Sequence, residues 1–193
     1  REVYATSGPR IAVRTYGGLN LPPTVLETPG FPDSIQTQAV PMGGEIMGAG
    51  VGDRFSLAIE AQADPKSGHL DRIQVVKGWI DASGETQERV YDAAWSGDDR
   101  LLPDGALAAV GSSVDLNTGL TANTIGSPRL TAVWQDPEFD PAQSAFYYVR
   151  VLQIPTARHS LLDKLALGNE DIDTRRPDTI QERAYTSPIW YRP

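Results

Sequence analysis

The 193-residue chain contains no cysteine, which removes a disulfide framework, a thiolate metal site and a cysteine nucleophile at once. Histidine is nearly as scarce: His69 and His159 stand 90 positions apart (159 − 69) and are the only two. Catalytic zinc and related sites need clustered histidines and carboxylates, so neither histidine has a ligand partner close by in sequence. His69 reads as a solvated turn residue in DPKSGHLD, and His159 as the exposed start of a short helix. No apolar run approaches the ~20 residues that cross a bilayer. No basic-then-apolar leader precedes the first strand-like run, which leaves cytoplasmic and extracytoplasmic locations both open. Positive charge is in deficit too, 17 Lys and Arg against 25 Asp and Glu, for a net charge of −8. Such a surface repels phosphate backbones and anionic lipid, which makes nucleic acid and membrane poor partners.

Several catalytic patterns are missing as well. There is no G-x-S-x-G elbow for a serine nucleophile. The glycine run MGGEIMGAGVGD is followed by a strand-like segment, whereas a phosphate loop needs a helix there, so the run reads as a flexible connector. The acidic stretches SGDDRLLPDG and GNEDIDTRRPD lack the order of a calcium loop and read as solvated acidic loops. Paired carboxylates can lie far apart in sequence, and with 25 acids no pair can be nominated. The residues therefore assign no catalytic, metal or cofactor-binding group.

What is present is a series of short alternating runs punctuated by 18 Gly and 15 Pro, a pattern of strands and turns. Residues 10–16 read as one strand. In RFSLAIEA, Phe55, Leu57, Ile59 and Ala61 share one face and Arg54, Ser56 and Glu60 the other, the period of a half-buried strand. LDRIQVVKGWID and TQERVYDAAWS flank ASGE as a hairpin. Either Val75 and Trp79 share a face with Lys77, or a bulge resets the phase near Gly78. SSVDL, SPRLTAVWQD and AFYYVRVLQI supply further strands, and DPEFDP a turn. ERAYTSPIWY is a strand that should lie at an edge or bend at Pro188, because proline donates no hydrogen bond. The four tryptophans, Trp79, Trp95, Trp134 and Trp190, read as core or rim packing; a sugar platform would need two exposed, coplanar rings. RHSLLDKLALG predicts one helix over 158–168, with Leu161, Leu162, Leu165 and Ala166 at helical spacing and a C-terminal glycine cap. Roughly seven to nine strands with one short helix predict an all-β, two-sheet antiparallel sandwich. SAFYYVRV is similar to the tyrosine-bearing strand of immunoglobulin-like domains, with Tyr147 two residues before a core position at Val149.

The runs YATSGPRI, MGGEIM, LDRIQVVKGWID, VYDAAWSGD, FYYVRVLQIP and QERAYTSPIWY together resemble the C-terminal part of a bacterial family, "domain of unknown function thirty-six-oh-four". The resemblance covers essentially the whole chain. It implies a longer parent whose N-terminal part resembles the PHP class of metal-dependent phosphoesterases; the histidine ligands of that class have no counterpart here, since no His-x-His occurs. It also implies that residues 1–9 are a joint, with Arg1 to Tyr4 the frayed end of a preceding helix, and residues 10–193 a single β-sandwich domain. Val3, Tyr4 and Arg10 become the candidates for contact with that N-terminal part.

The expected role is a non-catalytic accessory domain of a larger hydrolase, which completes its fold, shapes its cleft or holds a homo-oligomer. A stand-alone module for carbohydrate or another ligand is the second reading. An independent carboxylate-based hydrolase is the third.

Overall fold

Strand β9 (Ala145–Gln153) organises the larger sheet, and its residues explain why. Ala145, Tyr147, Val149, Val151 and Gln153 are buried on one side, while Phe146 and Tyr148 give the other side large apolar rings. A strand that is apolar on both faces belongs in the middle of a sheet. The structure, a computed structural model describing residues 1–168 and 175–193, places it there.

In chain order the other elements are β1 (Tyr4–Thr6), β2 (Ala12–Leu19), β3 (Ala39–Pro41), β4 (Glu45–Met47), β5 (Phe55–Gln62), β6 (Leu70–Ile80), β7 (Thr86–Trp95) and β8 (Arg129–Gln135) before β9. After it come β10 (Thr156–Ala157), α1 (His159–Leu167), β11 (Thr179–Ile180), β12 (Arg183–Thr186) and β13 (Ile189–Arg192). Along one edge β9 pairs antiparallel with β6, which carries β7 as its hairpin partner. Along the other edge β12 and β13 pair with β9 one after the other, followed outward by β1 on β12 and β4 on β13. The smaller sheet has the order β3-β2-β5-β8. Among the described residues the protein is a mostly β, two-sheet sandwich with one α-helix and a small separate β10–β11 ladder, the class that the alternating runs predict.

The two sheets close over one core. Val13, Phe55, Leu57, Ile59 and Ala61 of the small sheet meet Ile73, Val75, Val149, Val151, Ile189 and Tyr191 of the large one. Tyr147 and Val149 are both in this core, and Tyr147 stacks on Phe55 at 3.8 Å between ring centroids. The expected polar face of β5 is not polar in practice: Ser56 and Ala58 are buried as well. Residues 20–38 fold back over that outer face with two short 3-10 turns, Val25–Glu27 and Asp33–Ile35. They place Leu21, Val25 and Ile35 on Ala58 as a second, smaller core.

Other expectations are corrected. Residues 1–4 are not helical. Tyr4 opens β1, whose three residues register with Thr186, Tyr185 and Ala184, so residues 4–6 are part of the larger sheet. The glycine run contributes β4, paired parallel with β13, rather than a featureless connector. SSVDL forms only an isolated bridge, Val114 to Thr121. Of the two outcomes expected for the 182–191 run, the bend at Pro188 is the one seen, and the run is not an edge: Ser187 N–H bonds to Val3 O, and Pro188 lends its carbonyl to Gly43 N–H, so the missing N–H costs no ladder bond. No irregularity falls at Gly78: the register of β6 skips Asp71 against β9, and that of β7 skips Ala93 against Ile73 and Gln74, so Val75, Lys77 and Trp79 share one face. The helix spans His159–Leu167 and stops at Gly168, φ 58°, in the left-handed region. Only Leu161 of its apolar stripe is buried.

The long connection 96–128 is pinned by charge. Asp71, 1% exposed, receives Arg100 Nη2 at 2.7 Å and Arg72 Nε at 3.1 Å, and both arginines donate to Ala108 O.

Gly78 is required by a close approach. A Cβ there would lie 2.3 Å from Phe146 Cζ, because the Phe146 ring reaches across from β9 onto the bare backbone of β6. Gly78→Ala should therefore lower unfolding free energy in urea by roughly 1–2 kcal/mol through overpacking. In a Phe146→Ala background the same change should be nearly neutral.

Candidate functional site

Two places gather polar or aromatic groups beyond what packing needs. The first lies inside the sandwich. Lys77 sits in the apolar row Ile73, Val75, Lys77, Trp79, and its side chain is 4% exposed. Its Nζ lies 2.6 Å from Asp136 Oδ2 and donates to Glu138 O at 2.9 Å. It also stands 5.0 Å from the Trp79 ring centroid and 5.8 Å from that of Tyr147, cation–π distances. Asp136 accepts from Tyr147 Oη at 2.7 Å and from Glu138 N–H at 2.9 Å. Every strong charge in this knot has a partner, which is the condition for tolerating a buried ion pair.

The knot sets the acidity of its neighbours. Burial first, and then the Asp136 carboxylate, raise the Tyr147 phenol far above its ordinary value, so it stays a donor. Tyr91, which donates to Glu138 Oε2 at 3.0 Å, is pushed up to about 12 by burial and by that bond. Glu138 is held below the usual carboxylate range, first by the bond from Tyr91 and then by Arg89 and Lys77. Chemically the cluster fixes the 136–141 turn to the large sheet.

The second place is the outer face of the large sheet. Register places Glu88, Gly78, Phe146, Trp190 and Glu45 in one row across β7, β6, β9, β13 and β4. Val90, Val76 and Tyr148 form the next row, and Asp92, Gln74, Arg150 and Tyr185 the one after. Phe146 and Tyr148 are parallel to within 10° at 6.5 Å, and Trp190 lies 5.4 Å from Phe146. Trp190 is 41% and Tyr185 37% exposed. A groove of about 550 Å³ runs over Gly78, Phe146 and Trp190, with Gln87, Glu88 and Arg192 at its rim. Arg192 is held by Glu45 at 2.5 Å. The β6–β7 turn, which joins the strand ends that line the groove, is built on Asp81, which accepts from Ser83 N–H and Oγ, Glu85 N–H and Gln87 Nε2. Those bonds, the Ser83 hydroxyl foremost and Gln87 next, lower Asp81 to about 2.

The residues singled out from sequence are dispersed. Val3 (64% exposed) and Tyr4 (44%) lie at the β1 edge of the large sheet. Tyr4 lines a cleft of about 210 Å³ with Glu2, Arg14, Tyr16 and Met42. Thr15, 3% exposed, also lines this cleft, and its hydroxyl has no partner among the described residues. Arg10 is elsewhere, its N–H bonded to Asp64 Oδ2 at 2.8 Å. His69 is half-buried rather than solvated: its N–H bonds to Asn123 Oδ1, and its Nδ1 is buried without a partner among the described residues. His159 is exposed at the first position of α1. Trp79, Trp95 and Trp134 are half-buried. Most of the acidic stretch GNEDID falls in 169–174, outside the described residues. Among the described residues no three His, Asp or Glu side chains converge as a metal site would need, and no helix is long and apolar enough to cross a membrane.

Sequence reasoning missed Lys77 and Asp136 as partners and the outer aromatic row as a unit. The signals were a lysine inside an apolar parity and a strand, FYYVRV, that is aromatic on both parities.

The match to known families spans this whole arrangement. The chain belongs to the family described as Protein of unknown function (DUF3604), whose model matches residues 1–193. No curated protein and no solved structure matches it. Both the buried knot and the aromatic face lie inside the matched span of the family.

Asp136→Asn leaves Lys77 charged and buried, so it should cost about 3–5 kcal/mol in denaturant unfolding. Adding Lys77→Met should recover part of that loss, the non-additivity expected of contacting groups. For Asp81 the sign follows from a folded pKa below the unfolded one. Its contribution to the β6–β7 turn is complete above pH ~4 and drains as pH falls toward about 2. A carboxyl NMR titration should place its midpoint near 2, and Ser83→Ala should raise that midpoint.

Proposed function

We propose that this chain is a non-catalytic accessory domain of a larger, metal-dependent hydrolase, and that it docks on the rest of that polypeptide through the edge at Val3 and Tyr4. One observation carries the reading: the cleft at that edge, where exposed Tyr4 and a buried Thr15 hydroxyl, without a partner among the described residues, stand beside Glu2, Arg14, Tyr16 and Met42. A buried hydroxyl without a partner is costly in the free domain and is relieved when a docking segment supplies one. An edge strand adds a second means of association, since β1 is bonded to β12 along one side. The resemblance to proteins with a PHP-like N-terminal part supplies the identity of the partner. The buried acids and bases support a structural role, because Lys77, Asp136 and Tyr147 are engaged with one another. Arg10, whose backbone N–H is bonded to Asp64 and whose side chain is exposed, remains the third candidate for that contact.

The test is binding in trans. The upstream coding region, expressed as a separate chain, should bind residues 1–193 in calorimetry. Tyr4→Ala and Val3→Asp should each weaken that binding by about tenfold or more. Hydrolysis of a phosphoester by residues 1–193 alone, with Mn²⁺ or Zn²⁺ added, would overturn the proposal.

A further inference from the structure

We propose that Lys77 and Asp136 join covalently, through an amide bond between Lys77 Nζ and Asp136 Cγ that fastens one sheet to the other. The bond lies in the core and does not depend on the docking proposed at Val3 and Tyr4.

Placement is the first argument. Lys77 belongs to β6 of the large sheet, and Asp136 directly follows β8 of the small one. Their side chains are 4% and 0% exposed, and Nζ stands 2.6 Å from Oδ2. A hydrogen bond from Nζ to Glu138 O, at 2.9 Å, keeps the amine at that spot. Trp79 and Tyr147 wall it, their ring centroids 5.0 and 5.8 Å from Nζ, and Phe55 stacks on Tyr147 at 3.8 Å. Amines and acids do not condense in water, where both are charged, solvated and far apart. A folded core holds this pair in contact and out of water, and well-oriented neighbours react as if at effective concentrations of roughly 10⁵ M or more. A dry, apolar enclosure also disfavours the two charges relative to the uncharged product.

The carboxyl group is the second argument, because each of its oxygens already meets a donor suited to a separate task. Oδ1 accepts Glu138 N–H at 2.9 Å. That donor steadies the negative charge Oδ1 carries in the tetrahedral intermediate, and stays on it once it is the amide carbonyl. Oδ2, the oxygen nearest the amine, accepts Tyr147 Oη at 2.7 Å. Burial and the nearby carboxylate keep that phenol protonated, so it has a proton to give. The step balances without oxidant or cofactor. The ammonium and the carboxylate together hold the atoms of one amide and one water. Nζ bonds to Cγ, the Cγ–Oδ2 bond breaks, and two Nζ protons leave with Oδ2 as water. Tyr147 gives its proton to the departing oxygen, and one from Nζ replaces it.

The consequence is a closed loop of 59 positions (136 − 77) that ties the sheets together even when the chain unfolds. The linked chain is therefore more compact in denaturant than an open one.

The experiment is the intact mass of residues 1–193 after denaturation, followed by peptide mapping. The mass should fall below that of the sequence by one water. A tryptic digest should contain residues 73–89 and 130–150 as one branched peptide, uncleaved at Lys77. Lys77→Arg keeps the charge but cannot form the amide, and Asp136→Ala removes the acid, so each should restore the sequence mass. Tyr147→Phe keeps the ring and should leave part of the chain unlinked. The decisive measurement is on the unaltered protein, so no variant has to fold. A chain at its full sequence mass overturns the proposal and leaves an ion pair only. So does a water lost elsewhere, such as a succinimide at Asp104–Gly105, with peptides 73–77 and 130–150 recovered separately. Complete linkage in Tyr147→Phe overturns the part given to Tyr147.

Discussion

Strand β9 is hydrogen-bonded along both edges, and much else follows from that placement. Its inward side chains meet the small sheet, and its outward rings define the aromatic face. Because β6 occupies one edge, β12 and β13 must share the other end to end. That sharing forces the chain to change course at Ser187 and Pro188. The jog lets β1 and β4 each find a partner, and so brings residues near the start of the chain beside residues near its end.

The sandwich is fastened by two polar clusters as well as by apolar burial. The Lys77–Asp136–Tyr147 knot ties β6, β9 and the turn after β8 into one body. Asp71, with Arg72 and Arg100, does the same for the long 96–128 connection. A buried pair of this kind is weak evidence for added stability, since apolar replacements often do as well. Its consequence here is geometric: the turn after β8 and the long connection are each held at one place on the larger sheet. The two outer faces then differ. Residues 20–38 cover that of the small sheet, whereas the large sheet presents Trp190, Tyr185 and their neighbours to solvent.

Much of the architecture was legible from local pattern. Period-two alternation located β5, β6, β7, β8 and β9, and the glycine after a leucine-rich run located the end of α1. Legibility failed where a residue's environment comes from distant chain. Ser56 and Ala58 look solvent-facing by parity, yet both are buried, Ala58 beneath Leu21, Val25 and Ile35 of the 20–38 segment. Tyr4 looks like the end of a helix by resemblance, yet three bonded positions on β12 make it a strand. Near Gly78 a bulge was one of two readings, because Lys77 breaks the apolar row; the strand runs on without one there, and Asp136, 59 positions away (136 − 77), is what makes a lysine acceptable.

The sequence by itself determined the all-β class, the strand pieces and the lack of any cysteine chemistry. These depend on residue type and on periods of two or four positions, which are properties of neighbours along the chain. Tertiary structure alone decided which strands meet, which lysine is buried beside which aspartate, and which aromatic residues line up on one open face. Each of those is a contact between residues remote in sequence, and side-chain chemistry does not encode its partner until the sheets have closed.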